Sequence, residues 1–270
     1  MERRDWPIVV GGCARSGTSL VRRLLDSHSR IHCGPEMKFL AELVGPPRKD
    51  PLGDVRFIAS ARRFVSEDDL LEIIGKAFIT LHERVAERAG KPRWADKNPG
   101  NVLYVDKWER LLGGGWLLIH VVRNPLDTLA SMKESGFGRL PPGLRGRLDF
   151  YRSHLEAGLA FGESHPDRYR LLLYEELVSS PRGTVEGLMS WVGETFEPAQ
   201  LRFNDLPHET GIEDPKVAAT SEVHADSLGR WREVLSEAEI TEIGSEAAEL
   251  WATVDPEGRW RSLQCPSSVR

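Results

Sequence analysis

No apolar run in this 270-residue chain approaches the ~18 residues a membrane-spanning helix needs. The opening residues "MERRDWP" lead straight into the first apolar run without a signal-peptide pattern, so neither secretion nor membrane spanning is expected, and a cytoplasmic location is. Cysteine is scarce. Cys13, Cys33 and Cys265 are too few and too scattered for a disulfide framework or a cysteine-rich zinc site, and reduced thiols are expected. No H-E-x-x-H or C-x-x-C is present, and the acidic runs "SEDD" and "SEAEITE" read as helix starts and solvated faces, so no metal is expected. Basic charge is not in excess either: 36 Lys and Arg stand against 41 Asp and Glu, a net charge of −5. That balance argues against nucleic acid as a partner, while leaving room for a small anionic ligand in a locally basic cleft.

What is present is an alternation of short β-type runs with helical stretches. "PIVVGG" (7–12), "RWAD" (93–96), "WLLIHVV" (116–122) and "YRLLLY" (169–174) read as strands, the third apolar on both faces as in a sheet covered on both sides. Helices are expected over 17–26, over 67–89 with "SEDD" as its acidic start, and over 181–192 with Pro181 at its first position. This order predicts an α/β fold, a P-loop-like parallel sheet flanked by helices on both faces. Gly/Pro-rich stretches at 45–54, 136–147 and 207–215 read as loops too short to be interdomain linkers, so residues 1–270 are expected to form one domain.

The densest signal is "PIVVGGCARSGTSLVRRLLDSH", residues 7–28. Gly12 and Gly17 are five apart and Ser19 follows, as in the phosphate loop G-x-x-x-x-G-K-[ST], but Thr18 stands where that loop has lysine. About two such glycine pairs are expected by chance in this composition, so spacing alone says little. The setting says more: an apolar strand, a turn of small residues and an amphipathic helix aim successive backbone N–H groups and a helix N-terminus at one point, which makes an oxyanion site. Without the lysine, the outer phosphates of a triphosphate are poorly neutralised. Arg15, inside the loop, suits a donor with a single phosphate joined to a less charged group.

Three further stretches carry candidate chemistry. Lys97 in "WADKNP" ends a strand, at the edge where α/β sheets bind ligands. In "LIHVVRNPLDTLASM", Arg123 ends a strand, Asn124-Pro125 open a helix, and Ser131 lies seven residues after Asn124 on the same face. An arginine fork with a nearby hydroxyl suits a phosphate, although Arg123 could equally pair with Asp127. In "HCGPEMKFL", Gly34-Pro35 are expected to open a helix with Glu36 in its first turn, a place a glutamate also takes for the helix dipole alone. His28, His32 and His120 lie nearest these stretches, and none has a partner spacing that marks it as a base.

"GGCARSGTSLVRRLLDSH" followed by "RIHCGPE" resembles the sulfotransferase family that uses 3′-phosphoadenosine 5′-phosphosulfate (PAPS), and most closely its tyrosylprotein sulfotransferase branch. That branch carries a P-R-S-G-T-T-L loop, a Leu-Asp-x-His-Pro segment and Cys-Gly-Glu-Glu. The likeness is clear over residues 7–36 and recurs at 94–99, 119–132, 170–181 and 227–231. It implies PAPS as donor, 3′-phosphoadenosine 5′-phosphate (PAP) as product, and no metal. It also implies that Arg15, Ser16, Gly17, Thr18 and Ser19 hold the donor's 5′ end, and that Arg15 and Lys97 stabilise charge on the transferring group. Arg123 and Ser131 would take the 3′-phosphate, Tyr174 would line the nucleotide pocket, and Arg230 in "DSLGRWRE" would make a late phosphate contact. Glu36, aligned without a gap from Arg15, would be the base that takes the acceptor's proton.

The chain departs from the branch in two places. Pro35 replaces the first glutamate of the pair, and after Ser131 only Lys133 could stand for a further basic residue. The resemblance implies a phenol or peptide tyrosine as acceptor, but the branch is typically membrane-anchored, a feature not expected here, and a small-molecule hydroxyl is expected at least equally. Two other readings stand beside this one: a P-loop kinase or NTPase with an atypical loop, and a nucleotide-binding module without catalysis.

Overall fold

The computed structural model describes residues 3–43, 60–135, 140–211, 214, 217, 219–220 and 222–259. Strand β1 (Ile8–Gly12) is followed by α1 (Thr18–Asp26), β2 (Ile31–Cys33), α2 (Phe39–Leu43), α3 (Glu67–Arg88) and β3 (Arg93–Lys97). A 3-10 segment, Pro99–Tyr104, leads into α4 (Val105–Leu112), β4 (Leu117–Val122), α5 (Pro125–Glu134) and α6 (Gly143–Ser164). Then come β5 (Tyr169–Leu173), α7 (Tyr174–Ser179), α8 (Pro181–Val192), α9 (Trp231–Val234) and α10 (Glu237–Val254). The strands form one parallel sheet in the order β2-β3-β1-β4-β5, with Val10 opposite Lys97, Gly12 opposite Val121 and Val122 opposite Leu173.

The period-two alternation of the central strands decides which helices cover which face. Ile8, Val10, Leu117, Ile119 and Val121 pack with Leu20 and Leu24 of α1 and Leu188 and Met189 of α8. Val9 and Leu118 point the other way, into a layer of Phe78, Trp94, Trp108 and Trp116. A third cluster, with Leu126, Leu148, Tyr151 and Trp251, joins α5, α6 and α10 beyond β4 and β5. The acidic starts close capping boxes: Ser66 with Asp69 opens α3, and Ser236 with Glu239 opens α10.

The expected strands and the helices at 17–26, 67–89 and 181–192 are present with ends shifted by a residue or so. One strand was not expected, and two expectations are corrected. Strand β2 has only three residues, too short for a periodic signal. Residues 143–147, expected as loop, begin the 22-residue helix α6; its glycines and prolines hide buried Leu148, Tyr151, Leu155 and Gly158 at helical spacing. Gly34-Pro35 do not open a helix: α2 starts at Phe39, and Glu36 lies in the irregular segment before it. The expected loop at 45–54 and Cys265 lie outside the described residues; Cys13 and Cys33 are free and buried.

Buried ionisable groups tie this packing to pH. Burial pushes His120 down to about 3 and His154 down to about 4. Both are neutral when folded and charged when unfolded below about 6.5, so their contribution is complete above that value and is lost as pH falls. Burial pushes Glu175 up to about 7, which works in the opposite direction, weakening the fold as pH rises from about 4.5 to 7. Burial also holds His32 below its usual value, and the histidines together outweigh the one carboxyl, so stability to urea should rise by about 1 kcal/mol per pH unit between about pH 5 and 6.5. Glu175→Gln removes the opposing contribution and should roughly double that slope; an unchanged slope would show that Glu175 is ionised throughout.

Candidate active site

Each strand delivers one piece of the site at its C-terminal end, where open α/β sheets bind ligands. The loop after β1 brings Arg15 to Ser19, the segment after β2 brings Glu36, β3 ends in Lys97, β4 leads to Arg123, and β5 leads to Tyr174. The chain turns sharply after β1. Gly12 has φ +150 and Gly17 φ +99, and Arg15, at φ 74, is the one non-glycine residue with positive φ among the described residues. Ser16 holds the turn: its hydroxyl lies 2.7 Å from the Cys13 carbonyl and 3.0 Å from the Val121 carbonyl, and its N–H reaches the Cys13 carbonyl. Its side chain is thus engaged with β4. Gly17 gives α1 no side-chain cap, so the helix's first N–H groups remain as anion donors.

Lys97 is only 1% exposed. Its Nζ donates to Glu36 Oε1 at 2.7 Å and to Ser19 Oγ at 3.2 Å, bringing three of the residues named from sequence into one contact. Arg15 donates through Nε to Ser131 Oγ at 3.1 Å and pairs through Nη2 with Asp214 at 2.9 Å. Arg123 donates to the carbonyls of Arg15 and Ser227 and lies over the Tyr174 ring at 4.6 Å. Its Nε is buried with no hydrogen-bond partner among the described residues. Asp127 forms a long ion pair with Arg123 at 4.0 Å and also accepts from the N–H groups of Gly229 and Trp231. It thereby anchors the segment that carries Arg230, whose guanidinium reaches Glu134 at 3.0 Å.

Two cavities open around these residues. One, about 440 Å³, is lined by Arg15, Arg123, Ser131, Tyr174 and Arg230 together with apolar Leu20. The other, about 310 Å³, is lined by Thr18, Ser19 and Glu36 together with Leu103, Phe150 and His154. Arg15, Gly17, Asp214 and Val217 border both, so the loop after β1 and the residues at 214 and 217 form the wall the cavities share.

Other residues fall away from the site. Lys133 pairs with Glu239 at 2.8 Å and bonds the Val234 carbonyl. His28 uses both ring nitrogens on the backbone of Thr195 and Arg30, His120 bonds the Tyr169 hydroxyl, and His32 faces Glu209. Sequence reasoning missed Asp214 and His154. Asp214 sits in the Gly/Pro-rich stretch at 207–215, where a carboxylate carries no pattern, and His154 sits in the helix hidden behind "PPGLRGR".

A parallel sheet with an amide-lined turn after its first strand and cations at successive strand ends defines an α/β protein built around an oxyanion. Residues 7–198 match the profile of the Sulfotransferase family, and the chain belongs to that family. It is 23% identical over 242 residues to protein-tyrosine sulfotransferase 2 of Gallus gallus, covering 84% of this chain and 64% of the relative, less than two-thirds of that protein's length. Among solved structures, the sulfotransferase domain of the Synechococcus PCC 7002 olefin synthase superposes with a TM-score of 0.66 at 20% identity, covering 92% of this chain and 93% of that domain. The sulfotransferase domain from the curacin biosynthetic pathway gives 0.62 at 20% identity, covering 90% and 97%. Family and fold make the chain a sulfotransferase, an enzyme of sulfuryl transfer. Among the described residues no group of three or more His, Cys, Asp or Glu could hold a metal, and no helix is long and apolar enough to cross a membrane.

Proposed function

We propose that residues 1–270 act as one catalytic domain that transfers the sulfuryl group of PAPS to a hydroxyl acceptor, with Glu36 as base and no metal. The observation that carries this reading is the shared wall between the cavities, with the Lys97–Glu36 contact of 2.7 Å beside it. The larger cavity suits the donor. It offers the partnerless Nε of Arg123, the Ser131 hydroxyl, Arg230 and the ring of Tyr174, groups matched to a phosphate and an adenine.

PAPS supplies the sulfuryl group. Arg15, the uncapped N–H groups of α1 and the hydroxyls of Thr18 and Ser19 hold the 5′ end at the shared wall. Lys97, buried beside Glu36 and Ser19, stabilises negative charge as it moves to the leaving phosphate. Glu36, on the opposite cavity, receives the proton of the acceptor hydroxyl. A small phenol or alcohol fits the 310 Å³ cavity better than an extended peptide, which needs an open groove.

Calorimetric titration with PAP and with ATP, each with and without Mg²⁺, tests the reading. PAP should bind tightly without metal, and Arg123→Ala should weaken it by about 100-fold. Mg²⁺-dependent ATP binding with no response to PAP would overturn it in favour of a kinase.

A further inference from the structure

Helix α6 places His154 against the smaller cavity, among Leu103, Tyr104, Leu140 and Phe150. The residue is 2% exposed and its ring packs on Phe150 with centroids 4.1 Å apart. Its Nδ1 lies 2.7 Å from the Phe150 carbonyl. A carbonyl only accepts, so that bond puts the single proton of a neutral imidazole on Nδ1 and leaves Nε2 a lone pair. Burial, which pushes the group down to about 4, keeps it neutral near pH 7. Nδ1 also lies 3.4 Å from the Ser153 hydroxyl, whereas Nε2 makes no hydrogen bond among the described residues. A hydrogen-bond acceptor thus borders the same cavity as Glu36, beside apolar Leu103, Leu140 and Phe150.

We infer that His154 selects the acceptor: through Nε2 it takes a hydrogen bond from a second donor group on an apolar hydroxyl compound, leaving the reacting hydroxyl to Glu36. The inference rests on the sulfuryl-transfer reading above. A polar atom in an apolar wall rejects a substrate that leaves it unpaired, because the lost water is not replaced. The preferred acceptors are therefore compact phenols or cyclic alcohols bearing a second hydroxyl or N–H, and their mono-hydroxy analogues are poor. His154 is a positioning residue here and takes no part in the proton transfer.

The test compares hydroquinone, resorcinol and catechol with 4-methylphenol, and 1,4-cyclohexanediol with 4-methylcyclohexanol, using PAPS and the full chain. The best diol should exceed its methyl analogue in kcat/KM by about tenfold, mostly through KM. His154→Leu should abolish that preference, His154→Gln should restore part of it, and PAP affinity should stay unchanged in both. A wild-type enzyme that binds PAP but treats the pairs alike, or turns over none of them, overturns the inference and leaves the donor reading standing. Failure to bind PAP overturns the donor reading itself. A fall in kcat on every acceptor alike with KM unmoved makes His154 a base and also overturns its positioning role.

Discussion

Glu36→Gln should lower kcat by about three orders of magnitude while leaving PAP affinity within about twofold. Glu36 borders the smaller cavity and not the larger one, so under the proposed function its charge acts on the acceptor and not on the nucleotide. The amide keeps an oxygen for Lys97 to donate to, so the geometry of the 2.7 Å contact survives while the base is lost. Equal losses in turnover and PAP affinity would instead place Glu36 among the donor-binding groups, and an undiminished kcat would remove it from the chemistry. Lys97→Met should behave differently. It leaves Glu36, whose side chain is 11% exposed, without its cation, and breaking such a pair costs about 3 to 5 kcal/mol. Adding Glu36→Gln to Lys97→Met should therefore recover stability in urea and recover no activity, because each group then acts on a different atom of the reaction.

The outline of this site was legible in the sequence because its parts are local. A strand end followed by a glycine turn, or an arginine at a strand end with a serine on the helix that follows, can be read without knowing the fold. Arg15, Lys97, Arg123 and Ser131 are of this kind, and the sheet brings them into one crevice since all five strands run parallel. Glu36 was legible only through family likeness. Its local reading, a first-turn helix residue, does not hold, because α2 begins at Phe39. What was not legible depends on long-range contacts that leave no period. Asp214 reaches Arg15 across 199 positions of chain by a loop whose composition marks only a turn. His154 needed helix α6 to be seen first, and α6 begins at a glycine just after two prolines, residues that ordinarily end a pattern. Ser16 differs again. The residue was found, but its hydroxyl turns inward to the Cys13 and Val121 carbonyls, a direction that no spacing rule conveys.

The two loop glycines should fail in different ways when given a side chain. A Cβ on Gly12 would lie 2.2 Å from the Val121 carbonyl oxygen, which is backbone of the central strand β4 and cannot yield. With φ at +150 the position is also strained for any L residue, so Gly12→Ala should destabilise the fold by about 3 to 5 kcal/mol. A Cβ on Gly17 would lie 2.4 Å from Cδ2 of Tyr174, a side-chain atom that can swing aside. The ring that swings is the one stacked on Arg123 at 4.6 Å, so the damage falls on the donor cavity. Gly17→Ala should therefore lower stability by about 1 to 3 kcal/mol and weaken PAP binding by at least about tenfold. Tyr174→Leu in the Gly17→Ala background should return part of the stability, since the colliding ring is gone, without returning PAP affinity, since Arg123 has lost its platform. Tyr174→Leu gives Gly12→Ala no such relief, because that collision is with backbone. Urea melts of the four variants, with PAP titrations of those that fold, decide it: equal relief in both backgrounds would mean that the turn is flexible and that Tyr174 does not pack against it.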